Sequence, residues 1–240
     1  MKNVLSIAGT DPTGGAGIQT DLKTFEAHGV YGMAVISAVV AQNTFHVTGM
    51  QAVPADLVGR QIDCVFEDIR PDAVKIGMLS SPECMKAVAD KLRQYRPANV
   101  VIDPVMFAKN GDPLMDPKSV GALIETVLPF ADVLTPNVPE AQYLAGMEIH
   151  TPADMETAAR KIGALGCKNV LVKGGKNIPG AVDVLFDGET CHRIEIEQID
   201  STSTHGTGCT LSSAIASNLA LGKSVPEAVR LAKEYVTDAI

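Results

Sequence analysis

Short apolar runs alternate along this chain with longer segments of helical periodicity, and this alternation constrains the fold more than any other feature. The apolar runs predict strands at residues 4–8, 33–40, 73–76, 100–102, 133–134 and 170–172. Helices are predicted between them, with starts near residues 16, 54, 81, 116 and 151. Strands that alternate with helices favour a mainly parallel sheet covered by helices on both faces. The sequence therefore predicts the α/β class.

The later part of the chain predicts a small antiparallel edge for this sheet. Two apolar runs, residues 182–186 and 192–196, flank Asp187-Gly188, which is a typical hairpin turn. Two further helices are predicted, one over about residues 208–221 and one from Pro226 onward. No linker, repeat or low-complexity segment interrupts the 240 residues, so we predict a single domain over residues 1–240.

The composition excludes several classes of protein. The chain is 46% hydrophobic, so it has the material for a buried core and is not disordered in bulk. Its net charge of −8 argues against nucleic acid as a partner, because phosphate backbones bind basic surfaces. Tryptophan is absent and aromatic residues make up 4%, so base-stacking platforms are not expected.

Cysteine usage and the apolar runs predict a cytoplasmic protein without a membrane partner. The five cysteines are odd in number and form no C-x-x-C pair, which indicates neither a disulfide framework nor a zinc site. No signal-peptide pattern opens the chain. The longest apolar stretch, around residues 30–41, is too short to cross a hydrocarbon layer of about 30 Å.

Polar and glycine residues follow the predicted strands. In open α/β sheets, ligands bind beyond the carboxyl ends of the strands. The segments at those ends are 9–11, 42–44, 77–78, 103–105, Asn137 and 173–175. Turn residues occur there in every protein of this class, but the whole set indicates a ligand site at this edge of the sheet.

One segment is suited to phosphate binding. Neither a Walker loop nor a G-x-G-x-x-G fingerprint is present. His205-Gly-Thr-Gly-Cys-Thr210 instead opens a helix of small and apolar residues, whose free amides and partial positive charge suit a phosphoryl group. The same field predicts a lowered pKa and a reactive thiol for Cys209. A glycine-rich helix start with a small buried cysteine is the alternative interpretation.

Several motifs carry a resemblance to a known family. They are residues 6–25 (SIAGTDPTGGAGIQTDLKTF), 101–106 (VIDPVM), 135–140 (TPNVPE), 172–175 (VKGG) and 205–212 (HGTGCTLS). Together they resemble the hydroxymethylpyrimidine/phosphomethylpyrimidine kinases of thiamine biosynthesis, over essentially the whole chain. The resemblance implies a ribokinase-like fold and a homodimer. It also implies that 4-amino-5-hydroxymethyl-2-methylpyrimidine is phosphorylated with ATP and Mg²⁺, and that its monophosphate is then phosphorylated to the diphosphate.

The resemblance assigns substrate-binding roles to five residues. Gln42 is expected to read the pyrimidine, because an amide offers both a donor and an acceptor to an aminopyrimidine edge. Asp21 matches the family's substrate-site carboxylate, although an acid in the first turn of a helix also favours the helix dipole. Gly9, Met78 and Val105 match positions that line the same pocket, and Met78 fits a plain core position equally well.

The resemblance also assigns the transfer machinery. Cys209 stands where the wider ribokinase family carries a catalytic Asp, and we expect its thiolate to accept the hydroxyl proton. An anion hole is expected at Gly206, Thr207 and Gly208, and Lys173 is expected to bind phosphate. The nucleotide cofactor is expected to contact Asn137, Lys173 and Thr207. A metal site is expected at Glu140 and Asp103.

Three related interpretations remain to be weighed. A pyridoxal kinase would use the same phosphate machinery, although residues 42–44 favour the pyrimidine enzyme. A non-catalytic pyrimidine-binding regulator is disfavoured, because Lys173, Asn137, Glu140 and Cys209 are all present. A sugar kinase would carry Gly-x-Gly-Asp, where this chain has Gly-Thr-Gly-Cys.

Three smaller expectations complete the sequence-based picture. His205 is expected to make a local hydrogen bond at the helix entry, and residues 109–111 are expected to form a flap over the site. Relatives of this family usually continue past the position of Ile240, on the nucleotide side of the fold, so no adenine contacts are assigned.

Overall fold

Nine strands form one sheet in the computed structural model, which describes residues 1–106, 117–178, 180, 182–195 and 205–239. The strands, in chain order, are β1 (Asn3–Gly9), β2 (Tyr31–Gln42), β3 (Val47–Ala52), β4 (Ala73–Ile76), β5 (Val100–Ile102), β6 (Val133–Leu134), β7 (Asn169–Val172), β8 (Val182–Phe186) and β9 (Cys191–Glu195). Their order across the sheet is β3-β2-β1-β4-β5-β6-β7-β8-β9.

Helices cover both faces of this sheet. They are α1 (Gly17–Ala27), α2 (Ala55–Asp68), α3 (Pro82–Tyr95), α4 (Pro117–Ala122), α5 (Val138–Ala145), α6 (Pro152–Gly163), α7 (Thr207–Ala220) and α8 (Val225–Ala239). One apolar core joins the sheet to α2, α3, α5 and α6, and a second joins it to α1, α7 and α8. None of the helices in the described ranges is long and apolar enough to cross a membrane.

Strand direction confirms the predicted sheet and adds one strand to it. Strands β2, β1, β4, β5, β6 and β7 run parallel, while β8 and β9 form the antiparallel edge that the sequence predicts. The opposite edge is also antiparallel, because β3 folds back on β2. The sequence did not predict β3, since all six of its residues are exposed and show no apolar alternation.

Side-chain caps set the starts of three helices, and the starts of α3 and α6 are ones that the sequence predicts. The Ser81 side chain accepts a hydrogen bond from the amide of Cys84 at the start of α3. Asn137 and Thr151 each form a reciprocal capping box, with Glu140 and Asp154 respectively. Such caps satisfy amides that have no partner within the helix. The predicted flap at residues 109–111 and the first residue of the helix predicted from 116 lie outside the described ranges.

The sheet face under α7 changes from apolar to polar along its strands. Side chains two residues apart share a face. In β1, β4, β5, β6 and β7 the apolar residues packed against α7 and α8 are Val4, Ala73, Val101, Val133 and Leu171. Two residues further along the chain stand Ser6, Lys75, Asp103, Thr135 and Lys173. The carboxyl ends of the parallel strands are thus polar beneath the start of α7.

Candidate active site

A cavity of about 500 Å³ opens at these carboxyl ends, between the β2–β3 hairpin and the start of α7. All but two of the residues predicted for the site line this cavity. The predicted residues in its lining are Gly9, Gln42, Met78, Asp103, Val105, Asn137, Glu140, Lys173, Gly206, Gly208 and Cys209. Thr207 is the first residue of α7 and is not part of the lining. The placement of Asp21 differs more strongly from the prediction.

Asp21 lies beneath the cavity and not in its wall. Its side chain is fully buried, and its carboxylate accepts hydrogen bonds from Lys75, Ser6 and Ser213. The ammonium of Lys75 lies 2.8 Å from each carboxylate oxygen, and Lys75 does line the cavity. The structure therefore does not place Asp21 in the cavity wall, where the resemblance implied a substrate contact, but pairs it with a lysine that sequence reasoning missed.

The charged groups around Lys75 favour its protonated form. Burial alone would lower its pKa, but the charges of Asp21, Cys209 and Asp103 raise the pKa above its ordinary value. A signal for this residue was present in the sequence. In a strand buried on both faces, as Ala73–Ile76 is, a charged side chain needs a buried partner.

Gly206 lets the entry of α7 pack directly on the loop after β1. Its φ is +81°, and a Cβ at this position would overlap the carbonyl oxygen of Gly15. His205 Nε2 donates to Asp11 Oδ2 over 2.9 Å, so the predicted local hydrogen bond of His205 is wrong. Hydrogen bonds from His205 and Thr13 overcome the effect of burial and hold the pKa of Asp11 below its ordinary value. The contact ties two loops together that are remote in sequence.

Cys209 stands in the first turn of α7, in the wall of the cavity. Burial raises the pKa of its thiol above the ordinary value. Lys75 and the amide of Gly17 lower this pKa, whereas the charges of Asp21 and Asp103 raise it further. The predicted low pKa is therefore wrong, because loss of solvent outweighs the favourable helix terminus and the nearby ammonium.

A second lysine–carboxylate pair occupies the other side of the α7 start. Lys173 Nζ lies 3.1 Å from Asp103 Oδ1, which also accepts from Thr135 Oγ1 at 3.2 Å. Burial alone would lower the pKa of Lys173, but Asp103 and Glu140 raise it above its ordinary value. Gly208 lies against both members of this pair, and a Cβ there would be 3.2 Å from Asp103 and 3.5 Å from Lys173. A phosphoryl group in this position would meet the backbone amides at the start of α7 and the ammonium of Lys173.

Glu140 and Asn137 form the remaining wall. The Asn137 amide donates to Glu140 Oε2 at 2.9 Å, and the Glu140 amide donates to Asn137 Oδ1 at 2.9 Å. Burial raises the pKa of Glu140 to about 7; Lys173 opposes this shift and the nearby charge of Asp103 adds to it. The carboxylates of Asp103 and Glu140 thus share the ammonium of Lys173 to balance their charge, and this arrangement favours the binding of a further cation.

The donor set fits Mg²⁺ better than a metal enclosed by protein ligands. Within the ranges that the structure covers, no group of three or more His, Cys, Asp or Glu residues could hold a metal. Mg²⁺ characteristically uses one or two carboxylates together with phosphate oxygens and retained waters. Asp103 and Glu140 would supply the carboxylates.

The end of the cavity beside the hairpin combines the side-chain amide of Gln42 with apolar walls. Gln42 Nε2 donates to the carbonyl oxygen of Thr10 at 3.3 Å, which fixes the orientation of the amide. In the described part of the chain, Gln42 Oε1 accepts no hydrogen bond. Met78 packs over Gly9, where a Cβ would lie 2.7 Å from the methionine methyl. Val40, Phe45 and Met50 add apolar walls.

An open α/β sheet with this strand order and two lysine–carboxylate pairs at a helix start defines a small-molecule kinase of the ribokinase-like fold. Residues 11–240 match the family model described as phosphomethylpyrimidine kinase, and the chain belongs to this family. Both the fold and the family expected from the motifs are confirmed.

Curated relatives agree with this assignment. The chain is 50% identical to the hydroxymethylpyrimidine/phosphomethylpyrimidine kinase of Rhizobium meliloti over 239 residues, covering 98% of this chain and 89% of the relative. It is also 50% identical to the thiamine biosynthesis bifunctional protein ThiED of Geobacter sulfurreducens, covering 99% of this chain. The chain spans 49% of the length of that second protein.

Solved structures show the same fold. A phosphomethylpyrimidine kinase from Clostridium difficile is 45% identical with a TM-score of 0.90, covering 100% of this chain and 99% of that one. An ADP complex of Bacillus subtilis pyridoxal kinase is 42% identical with a TM-score of 0.91, covering 99% of this chain and 90% of that one.

Proposed function

We propose that this chain transfers phosphate from ATP to the hydroxymethyl group of 4-amino-5-hydroxymethyl-2-methylpyrimidine and then to the resulting monophosphate. The observation that carries the proposal is the continuity of the cavity, which runs from the Gln42 amide past Cys209 to Lys173 and Glu140. Its length joins a ring-binding end to a phosphate-binding end. Family membership supports the same reaction.

Gln42 supplies the ring contact in this proposal. One amide hydrogen is held by Thr10, which leaves the second hydrogen and Oε1 directed to a ligand. A 4-aminopyrimidine offers an amino donor beside a ring-nitrogen acceptor, so both groups of the amide are matched. The apolar walls at Met78 and Val105 exclude water from the ring faces.

Phosphoryl transfer depends mainly on positioning and charge stabilisation, and the start of α7 provides both. The amides of Gly206 and Gly208 and the Lys173 ammonium stabilise the charge on the transferred group. Cys209 takes the hydroxyl proton in the first transfer, as the oxygen–phosphorus bond forms and the bond to ADP breaks. Mg²⁺, when bound, neutralises charge on the nucleotide phosphates.

Replacing Gln42 with leucine is expected to raise the KM for the pyrimidine alcohol by about 10–100-fold, because two ligand groups lose their hydrogen-bond partners in a buried site. The kcat should fall much less, since residue 42 lies away from the transfer groups. Steady-state kinetics with varied pyrimidine and saturating ATP would measure both constants. Thr48→Val, on the exposed strand β3, is the control. An unchanged KM would remove Gln42 from the ring contact.

Replacing Glu140 with glutamine is expected to raise the Mg²⁺ concentration needed for half-maximal activity by about 10–100-fold. Glutamine still accepts from the Asn137 amide, so the start of α5 is preserved. Activity against Mg²⁺ concentration, after stripping with EDTA, is the measurement. Glu148→Gln, at an exposed site, should behave as wild type. Equal Mg²⁺ dependence in both variants would place the metal elsewhere.

We also propose that the chain forms a homodimer through the β2–β3 edge. Exposed apolar side chains cluster on this hairpin, namely Val39, Phe45, Val47 and Met50. Exposed apolar side chains on a hairpin at the edge of the described sheet favour a second copy of the chain. Light scattering should give twice the chain mass for wild type and the mass of one chain for Met50→Glu. Leu57→Glu, on α2, should remain a dimer.

A cytoplasmic location is proposed because all five cysteines are free.

The function is tested by following ATP consumption with Mg²⁺ and either the pyrimidine alcohol or pyridoxal as acceptor. Two phosphates transferred per pyrimidine, with slow pyridoxal turnover, would support the proposal. Faster turnover of pyridoxal would favour the second candidate, which rests on the likeness to the Bacillus subtilis kinase. Pyrimidine binding without turnover of either compound would indicate a binding protein.

A further inference from the structure

The Asp21–Lys75 pair is an unusual structural element for this site. Both side chains have no exposed surface, and the ammonium contacts both carboxylate oxygens at 2.8 Å. Removing two charges from water costs free energy that their attraction often fails to recover, so a buried pair is weak evidence for a stabilising role. Its position relative to the reacting groups suggests another role.

The pair is fastened to the helix face that carries Cys209. Ser213 Oγ donates to Asp21 Oδ1 at 2.7 Å, and Ser6 Oγ donates to Oδ2. Ser213 follows Cys209 by four residues, so both lie on one face of α7, about one turn apart. Lys75 and Cys209 also line the same cavity. Asp21 thus holds the ammonium of Lys75 beside the helix face that presents the thiol.

The charges around the thiol come from several elements. Lys75 approaches from β4, Asp21 from α1 and Asp103 from the end of β5. Around the start of α7 also lie Lys173, paired with Asp103, and His205, bonded to Asp11. The ammonium of Lys75 favours the thiolate of Cys209, while the charges of Asp21 and Asp103 oppose it.

We propose that Lys75, held in place by Asp21, is a positioning residue that stabilises the thiolate form of Cys209 during the first phosphoryl transfer. This inference rests on the proposed function. The thiol first loses its proton to water. The thiolate then takes the hydroxyl proton, the acceptor oxygen bonds to the γ-phosphorus, and the bond to ADP breaks. Without the ammonium, the thiolate would face two carboxylates in a buried site.

The test is the pH dependence of iodoacetamide alkylation at Cys209, followed by peptide mass spectrometry with exposed Cys64 as internal reference. The double variant Asp21→Asn/Lys75→Met removes both charges and approximately preserves volume. We expect the midpoint of its alkylation curve to lie at higher pH, so that alkylation at pH 8 is severalfold slower than in wild type. Lys75→Arg, which keeps the cation, should return the midpoint towards the wild-type value.

The midpoint and the plateau of this curve separate two roles. A merely structural pair would alter access to the cavity and change the rate at high pH, with the midpoint unmoved, and that result would overturn the proposal. The pH profile for the pyrimidine alcohol should move with the thiol midpoint, while the profile for the monophosphate should not. If wild type phosphorylates neither acceptor, the proposed function fails, whereas the alkylation curves still decide the effect of Lys75.

Discussion

Replacing Cys209 with alanine is expected to slow phosphorylation of the pyrimidine alcohol by about 10²–10⁴-fold, the range typical of a lost general base. Phosphorylation of the monophosphate should fall by less than about tenfold. A phosphate monoester has a second pKa of about 6 and is mostly a dianion at neutral pH, so its attacking oxygen carries no proton. Initial rates with each acceptor, separated by chromatography, measure the two steps.

The control for this variant is Cys64→Ala, which removes an exposed thiol from α2. It should leave both rates unchanged. Equal losses in the two steps of Cys209→Ala would show that the residue positions the acceptor and does not remove a proton.

The pH profile of the wild-type protein gives a second view of the same group. Because burial raises the pKa of Cys209, the thiol form predominates at neutral pH. The thiolate fraction then grows about tenfold per pH unit below that pKa. The rate with the alcohol should therefore rise with pH above neutrality, and this rise should disappear in Cys209→Ala.

Replacing Gly206 with alanine is expected to lower the free energy of unfolding by about 4 kcal/mol or more, a loss reserved for severe steric changes. The new Cβ would collide with backbone of the loop after β1, at the carbonyl of Gly15, and neither backbone is able to yield as a side chain would. The amide of Gly206 would also move, so kcat should fall by about 100-fold or more, as for a lost oxyanion donor.

Gly222→Ala is a matched control, because Gly222 has a φ of +87° with nothing within 4 Å of its Cβ position. This variant should lower the free energy of unfolding by only about 1–2 kcal/mol, the cost of placing an alanine in a left-handed backbone conformation. Chemical denaturation of both proteins, with activity measured in parallel, compares them. Similar losses in the two variants would mean that the loop contact at Gly206 contributes nothing beyond backbone strain.

The central strands were predictable because their signal is local. Strands β4, β5, β6 and β8 occupy the residues that their apolar runs predict, and α3 starts at its predicted cap. Strand β3 was not predictable in this way, because an exposed edge strand is specified by pairing with β2 and not by its own pattern.

The site was predictable in its membership but less so in its electrostatics. Strand ends and helix starts can be found in a sequence, and all but two of the residues predicted for the site line the cavity, whereas Phe45, Val47 and Met50 of the hairpin were not predicted. The partners of Asp21 and His205 come from contacts between segments that are remote in the sequence, so the spacing of residues along the chain does not reveal them. The pKa of Cys209 depends on how much solvent the fold removes, and a helix terminus alone does not reveal this.

The β2–β3 hairpin has a consequence for how such a protein changes over evolutionary time. In the proposed function, the groups that transfer phosphate lie at the start of α7 and beyond the ends of β5, β6 and β7, strands that each have a neighbour on both sides. Part of the proposed ring-binding wall lies on the β2–β3 hairpin at the border of the sheet, where β3 has a neighbour on one side only among the described strands. Mutations there can reshape acceptor preference while the chemistry survives. Under the proposed function, acceptor preference and phosphoryl transfer can therefore change separately on this fold, which a solved phosphomethylpyrimidine kinase and a solved pyridoxal kinase share.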